Sequence, residues 1–235
     1  MKYNIVTTLN NDYMPFGILF INSLFDNISL NFINKIYIFD TGLHKNDIKY
    51  LELFPKVQIE KTSHQTKNVN MHDEQWQKNV YSKTSFLLQT IKKDDMPAIM
   101  IDSDCIFVSD FFDLLDTSKD FILCERARSG FSKHIGSFFV AHNVEKAEEF
   151  ITDWIKEIKK GDEKHKESPA LSRVSEKYDN LGNLPEAQVS YFSFENKMPT
   201  RDARIIHLKS DSGRETITKR IHQPHAAEYV RKYFR

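Results

Sequence analysis

Short apolar runs alternate with stretches of helical spacing through the first half of the chain. Residues 3–9 centre on Ile5 and Val6 and predict a strand, followed by a polar loop through Asn10, Asn11 and Asp12. Residues 16–25 place Phe16, Leu19, Phe20, Leu24 and Phe25 at the spacing of one helix face. A second strand is predicted over 35–39, closed by the turn signal Asp40-Thr41-Gly42. A helix over 45–53 runs up to Pro55, and Val57 to Ile59 predicts a third strand. This β-α-β-α-β order implies a parallel sheet with right-handed crossovers. Residues 61–77, with His64, His72 and Trp76, are polar and show no clear period. A loop that long is either a lid over a ligand or plain surface. Tyr81 to Ile91 predicts a helix that turns Phe86, Leu87, Thr90 and Ile91 to the sheet and carries Lys83 in its first turn. The helix dipole opposes a cation there, so Lys83 either faces an anion or is a solvated lysine.

The pattern then condenses. Ala98-Ile99-Met100-Ile101 follows Pro97 and reads as a buried central strand. It ends in Asp102 and Asp104, which lie on one face if the backbone stays extended. The carboxyl end of a buried strand is where ligands bind in open α/β sheets. Two like charges so placed repel unless a cation sits between them, so a divalent metal site is the economical reading. The bland alternative is a loop whose acids cap helices or face water.

Further on, Ile106 to Val108 prolongs the apolar run, and Ser109-Asp110 predicts a cap for a short helix over 111–115. Strands are expected at 121–124, 138–141, 189–194 and 204–208. Val144, Ala147, Phe150, Ile151, Trp154 and Ile158 form one helical stripe behind Asn143 as N-cap. Residues 159–167 alternate acid and base like a solvated linker, a helix lies near 170–178, and 225–235 predicts a last helix with a basic end. Tyr229, Val230, Tyr233 and Phe234 there either pack as an ordinary helix face or make peripheral contact with a lipid surface.

Composition narrows the function. The 235 residues can bury a real core, and they are read as one domain in two halves, 1–110 and 111–235. Lys+Arg and Asp+Glu both number 33, a balance that argues against a nucleic-acid binder. No apolar stretch is long enough to span a bilayer, and Lys2 leads straight into a strand, without a signal-peptide pattern. Cys105 and Cys124 fall in or beside predicted buried strands, as buried thiols of a cytoplasmic protein. Gly numbers only 7, and neither a Gly-rich phosphate loop nor a Gly-x-Ser-x-Gly elbow occurs. Phosphates would therefore have to be held by a metal and cationic side chains.

The segment from Tyr81-Ser82-Lys83-Thr84 through Ile101-Asp102-Ser103-Asp104 to Val108-Ser109-Asp110-Phe111-Phe112-Asp113-Leu114-Leu115 resembles the centre of GT-A glycosyltransferases, in particular the family 8-like nucleotide-diphospho-sugar transferases. Residues 136–158 and Arg204-Ile205-Ile206-His207-Leu208-Lys209 extend the similarity. The resemblance implies a GT-A (Rossmann-like), mostly parallel α/β sheet flanked by helices. It also implies a metal-dependent enzyme that moves a sugar from a nucleoside diphosphate, UDP above all, to a glycan or other hydroxyl acceptor with retention. Asp102, Asp104 and His207 would hold the metal. Oxygen ligands suit Mn2+ or Mg2+, and one imidazole tilts the choice to Mn2+.

By the same resemblance, Asp102, Ser103 and Lys83 would contact the donor, and Lys209 or Arg214 its outer phosphate. Thr7, Thr8 and Tyr13 would lie by the base, with Asp40 at the border of that pocket. The family's Asp-Gln pair falls at Glu167-Ser168, which makes Glu167 a candidate beside the reacting carbon; the other reading is an exposed linker glutamate. The family's Lys-Pro-Trp after the late His is absent, and Ile135-Gly136-Ser137 replaces its Asn-x-Gly. His222 and His225 are alternative ligands, and His134 is expected at the surface. Two other classes remain: a metal-dependent nucleotidyl or phosphoryl transferase, and a non-catalytic nucleotide-sugar-binding module.

Overall fold

Parallel pairing starts at the amino terminus, where β1 (Tyr3–Leu9) runs beside β2 (Ile33–Asp40) and β2 beside β3 (Val57–Lys61). α1 (Met14–Asn27) and α2 (Lys45–Leu51) make the crossovers. These elements come from a computed structural model that describes residues 1–63, 74–127, 132–160, 167–191, 201–208 and 224–233. After α3 (Glu74–Asp94), the chain inserts β4 (Ala98–Ile101) on the other side of β1, parallel to it. All four residues of β4 are buried, because helices cover both faces of the sheet.

The second half adds β5 (Cys105–Phe107), β6 (Phe121–Glu125), β7 (His134–Ala141), α4 (Val144–Lys160), α5 (Glu167–Ser175), β8 (Leu181–Pro185), α6 (Glu186–Val189), β9 (Ile205–His207) and α7 (Pro224–Tyr233). The seven-stranded sheet runs β3-β2-β1-β4-β7-β6-β8, with β5 and β9 forming a separate antiparallel ribbon. β7 is antiparallel to both β4 and β6, and β8 is parallel to β6. The carboxyl ends of β1, β2, β4 and β6 therefore share one edge with the amino end of β7. The architecture is the expected α/β one, mixed and mostly parallel.

Alternation along the strands sorts the core into two layers. Ile5, Ile99, Ile101, Phe138 and Val140 pack with Phe20 and Leu24 of α1. Val6, Met100, Phe139 and Ala141 pack with Phe86, Leu87 and Ile91 of α3 and with Phe150 and Trp154 of α4. The stripe read on α4 is the buried one, and Asn143 Oδ1 accepts the Lys146 N–H as its cap. A third cluster joins Phe16 and Leu19 to Ile106, Ile206, Leu208 and Val230, and so fixes the ribbon between α1 and α7. Val230 is buried in that cluster, Tyr233 packs against it, and the Tyr233 hydroxyl donates to Asp26 Oδ2. No helix among the described residues is long and apolar enough to cross a membrane.

Several expectations fail for identifiable reasons. α3 begins at Glu74, so residues 74–77 are helix and Lys83 lies in mid-helix, not in the first turn; the dipole argument for it does not apply. Residues 64–73, with His64 and His72, lie outside the described residues. The apolar run at 106–108 does not extend β4 but leaves the sheet to pair with β9. The helix expected over 111–115 is a 3-10 turn, Phe112–Leu114, with Asp110 Oδ1 accepting the Phe112 N–H. Residues 186–189 form a helix where a strand was expected from 189, and Tyr191 only bridges Ile206. β8, with Gly182, Asn183 and Pro185, carries no strand signature and was missed.

His134 is buried, not at the surface, with Nε2 3.1 Å from Asn183 Oδ1 and Nδ1 3.1 Å from Ser175 Oγ. His142 donates Nδ1–H to the Lys119 carbonyl, and its buried Nε2 has no partner among the described residues. Burial pushes both histidines below the usual imidazole range. The unfolded chain therefore takes up these protons first as pH falls. Their contribution to stability is complete above about pH 6.5 and is lost below it, by at most about 1.4 kcal/mol per pH unit for each histidine. Urea unfolding between about pH 7 and 5.5 should show this decline, and the double variant His134→Gln/His142→Gln should flatten it.

Candidate active site

At the shared sheet edge the chain turns sharply after β4. Asp102 donates its N–H to the Ser137 carbonyl at 3.0 Å, and the Asp104 carbonyl accepts the Leu208 N–H at 2.7 Å. The turn 102–104 is thus anchored on one side to β7 and on the other to the end of β9. Antiparallel pairing then sets Cys105 directly opposite His207. His207 Nε2 lies 3.0 Å from Asp104 Oδ1 and 3.7 Å from Asp102 Oδ2. Nearly the whole imidazole is buried. The strand-end aspartates and the late histidine, about a hundred residues apart in sequence, are brought together.

Lys83 reaches the same place from α3. Its ammonium lies 2.5 Å from Asp102 Oδ1 and 3.1 Å from Glu167 Oε1, and it donates to the Gly136 carbonyl at 3.1 Å. Burial works against its charge, but the two carboxylates outweigh burial and hold its pKa above the usual lysine value. Lys83 faces anions and is not a solvated lysine. Glu167 is not an exposed linker residue either. It opens α5 and is buried, and its carbonyl accepts the Trp154 indole N–H at 3.0 Å. Gly136 lets it in: a Cβ at that position would stand 2.7 Å from Glu167 Oε2. This is the physical use of the glycine in Ile135-Gly136-Ser137.

Charge decides what the cluster can bind. Three carboxylates, Asp102, Asp104 and Glu167, meet one lysine, Lys83, and the His207 imidazole among the described residues. Burial raises the Asp104 pKa, but His207 beside it more than compensates and holds the carboxyl below its ordinary value. Ligand atoms of Asp104, Cys105 and His207 all lie within 4.8 Å of one another. Carboxylate oxygens and an imidazole nitrogen at this spacing fit a small divalent cation. The neighbouring thiol of Cys105, pushed well above its ordinary pKa by burial, went unnoticed in the sequence as part of this group.

The remaining candidates spread along the same edge. Ser103 is buried in the turn. Thr7 and Thr8 sit near the end of β1, and the Thr7 hydroxyl is buried with no partner among the described residues. Tyr13 is half-buried in a 3-10 turn, its ring 5.3 Å from that of Phe16. Asp40 ends β2, and its Oδ1 accepts the N–H groups of Gly42 and Leu43 at 2.8 and 2.7 Å, so that oxygen holds a turn. Lys209, Arg214 and His222 lie outside the described residues, as does the side chain of His225. Sequence reasoning also missed Ser137 and Ser190, whose hydroxyls are 2.8 Å apart behind His207.

Solved structures define the class of fold. The chain is similar along 98% of its length to 95% of an active-site mutant of LgtC, with a TM-score of 0.66 and 9% identity. It is similar along 99% to 60% of the glycosyltransferase GlyE of Streptococcus pneumoniae TIGR4, with a TM-score of 0.67 and 15% identity. It is similar along 100% to 52% of the bifunctional glycosyltransferase WbbM, with a TM-score of 0.62 and 14% identity. The chain thus spans only about half to three-fifths of the WbbM and GlyE chains. The fold is that of GT-A glycosyltransferases. No curated protein sequence matches the chain. The family model for nucleotide-diphospho-sugar transferases matches residues 41–221, and the chain belongs to that family.

Lys83 carries a testable consequence of this geometry. Lys83→Met leaves the largely buried Asp102 and Glu167 carboxylates without their shared cation, and should cost about 3–5 kcal/mol of unfolding free energy. Urea denaturation of the metal-free protein measures this. Adding Glu167→Gln to Lys83→Met should recover part of the loss, because one of the stranded charges is then gone.

Proposed function

We propose that the chain is a retaining glycosyltransferase that moves a sugar from a UDP-sugar donor to a hydroxyl of a glycan or glycoconjugate. A divalent cation, Mn2+ before Mg2+, would be held by Asp102, Asp104 and His207. The observation that carries this reading is the convergence of two strand-end carboxylates and a buried imidazole Nε2, 3.0 and 3.7 Å from them, in a chain of the nucleotide-diphospho-sugar transferase family. When bound, such a cation neutralises the charge that grows on a departing diphosphate.

The chain's own residues then divide the work. Asp104 and His207 hold the cation from the ribbon side, and Asp102 shares itself between the cation and the ribose. Lys83 is the fixed cation of the pocket; its three N–H groups point to Asp102, Glu167 and the Gly136 carbonyl, so a donor phosphate or sugar oxygen would take the place of one of these partners. Ser103 lines the turn beneath them. Lys209 or Arg214 grips the outer phosphate, while Thr7, Thr8, Tyr13 and Asp40 border the base at the carboxyl ends of β1 and β2. Glu167 has one oxygen on Lys83, the same ammonium that lies against Asp102, which supports a place beside the reacting carbon. There its negative charge would stabilise the oxocarbenium character of the sugar in flight.

In this division residues 1–110 bind the nucleotide-sugar and 111–235 supply the acceptor side. Cys105 and Cys124, both buried and neither in a disulfide, support a reducing, cytoplasmic setting.

A donor screen tests the proposal. Protein with Mn2+ is offered UDP- and GDP-sugars, and nucleoside diphosphate release is measured. Release from one donor is expected. It should vanish with chelation and fall by at least about a hundredfold in Asp104→Ala, which removes a metal ligand. Donor turnover unaffected by chelator would contradict the metal role. Binding of a donor without any turnover would favour a non-catalytic module.

A further inference from the structure

β6 and β7 continue their pairing past the sheet edge that carries the site. Glu125 pairs with His134, and the Arg126 N–H is given to the Lys133 carbonyl at 2.9 Å. The next N–H, of Ala127, is given to Glu186 Oε2 at 3.2 Å, which ties this hairpin to the start of α6. Alternation along the paired backbone decides where Arg126 faces. His134, opposite Glu125, turns its ring to Ser175 of α5. Arg126 therefore takes the other face, that of Cys124. Cys124 shares a core cluster with Cys105 of β5, Val189 of α6 and Ile205 of β9. Arg126, about 7 Å further along, overlooks the side of the site that holds Asp104 and His207.

This arginine is half-buried and unpaired. Its Nε is buried and has no hydrogen-bond partner among the described residues, and its side chain makes no ion pair among them. Two carboxylates of the same corner are engaged elsewhere. Glu125 lies 3.9 Å from the Lys133 ammonium, and Glu186 takes the Ala127 N–H. A buried donor left unsatisfied is costly, and an anion at the guanidinium would offset that cost. Two coplanar oxygens of a carboxylate or a phosphate match the fork of the guanidinium. Position separates this anion from the donor diphosphate. β7 lies between β4 and β6, so Arg126 stands about 10 Å across the sheet from the strand of Asp102, on the side away from β1 and β2.

We propose that Arg126 is a specificity residue for the acceptor, and that the acceptor carries a carboxylate or phosphate near the hydroxyl that receives the sugar. The guanidinium grips that anion from the hairpin, while the hydroxyl is presented to the sugar beside Glu167 and Asp102. The preferred acceptor is thus an acidic glycan rather than a neutral one. This inference rests on the transferase reading above and names the acceptor chemistry which that reading leaves open.

Two measurements test it. In nitrogen-15 spectra of the wild type, the Arg126 Nε–H signal is assigned through bonds from its own backbone. It is followed during addition of glucuronate, glucose 6-phosphate, glucose, or UDP with Mg2+, with sodium chloride at matched ionic strength as the control. A saturable shift with either acid, and none with glucose or the salt, is expected. A signal that moves with neither acid, or only with UDP and Mg2+, overturns the inference and leaves the transferase reading intact. The donor found by the screen is then used to compare kcat/KM for transfer to a glucuronate-terminated and a glucose-terminated disaccharide. The wild type should favour the acidic one, and Arg126→Gln should lose about 10–100-fold of that preference, because a charge-assisted pair is gone. The same preference in both proteins overturns the inference. Should neither disaccharide accept, or Arg126→Gln not fold, the spectra of the wild type decide. If no donor is turned over, the transferase reading fails and the acceptor role falls with it, whatever the spectra show.

Discussion

Mutual repulsion of carboxylates is the constraint around which this molecule is built. Asp102, Asp104 and Glu167 arrive from a strand end, a turn and a helix start, and none is fully solvated. At about 4 Å and an effective dielectric near 20, one such pair costs on the order of 4 kcal/mol. The fold answers with Lys83, buried between two of the three, and with His207 against the third. One lysine and one imidazole against three carboxylates leave an excess of acid. A protein selected for stability alone would not gather acids in this way, and would do as well with packed apolar side chains. The excess is intelligible if the cluster exists to take a doubly charged cation and, through it, a diphosphate.

Both halves of the chain are needed to hold the cluster. The parallel half delivers Asp102 from β4 and Lys83 from α3. The second half delivers Glu167 from α5, the glycine that admits it from β7, and His207 from β9. β7 is the hinge of the arrangement in the sheet. Because it runs antiparallel to β4, its amino end, with Gly136 and Ser137, meets the carboxyl end of β4 at Asp102. Gly136 O takes a hydrogen bond from Lys83, and Ser137 O takes one from Asp102. A parallel strand in that position would have brought its opposite end to the site.

Legibility in the sequence followed the physics of each signal. The first three strands, α1 and β4 were readable because two-residue and 3.6-residue periods are local and strong. α4 was readable to the cap, since Asn143 and the Phe150–Trp154 stripe are local too. β8 was not, because Leu-Gly-Asn-Leu-Pro is a strand only by pairing with β6. The short helix at 186–189 was taken for a strand because Val189 opens an apolar run whose fate is set by its ties to β9. His134 looked polar and therefore external; its burial depends on Asn183 and Ser175, some forty to fifty residues away. At the site, Asp102 and Asp104 announced themselves through the strand before them, whereas His207 was singled out by its place at the end of an apolar strand together with a family resemblance. Lys83 was noticed for a wrong reason. Its role comes from tertiary neighbours rather than from a helix terminus. Cys105, Ser137 and Ser190 carried no local signal, since each matters only through what it faces.

The most direct test of the account is the position of manganese in crystals grown with Mn2+ and a nucleoside diphosphate, read from its anomalous scattering. The account predicts one peak within coordination distance of an Asp104 oxygen and His207 Nε2, with Asp102 and the diphosphate completing the shell. Manganese found elsewhere, with Asp102 and Asp104 turned to bulk solvent and nothing between them, would contradict it.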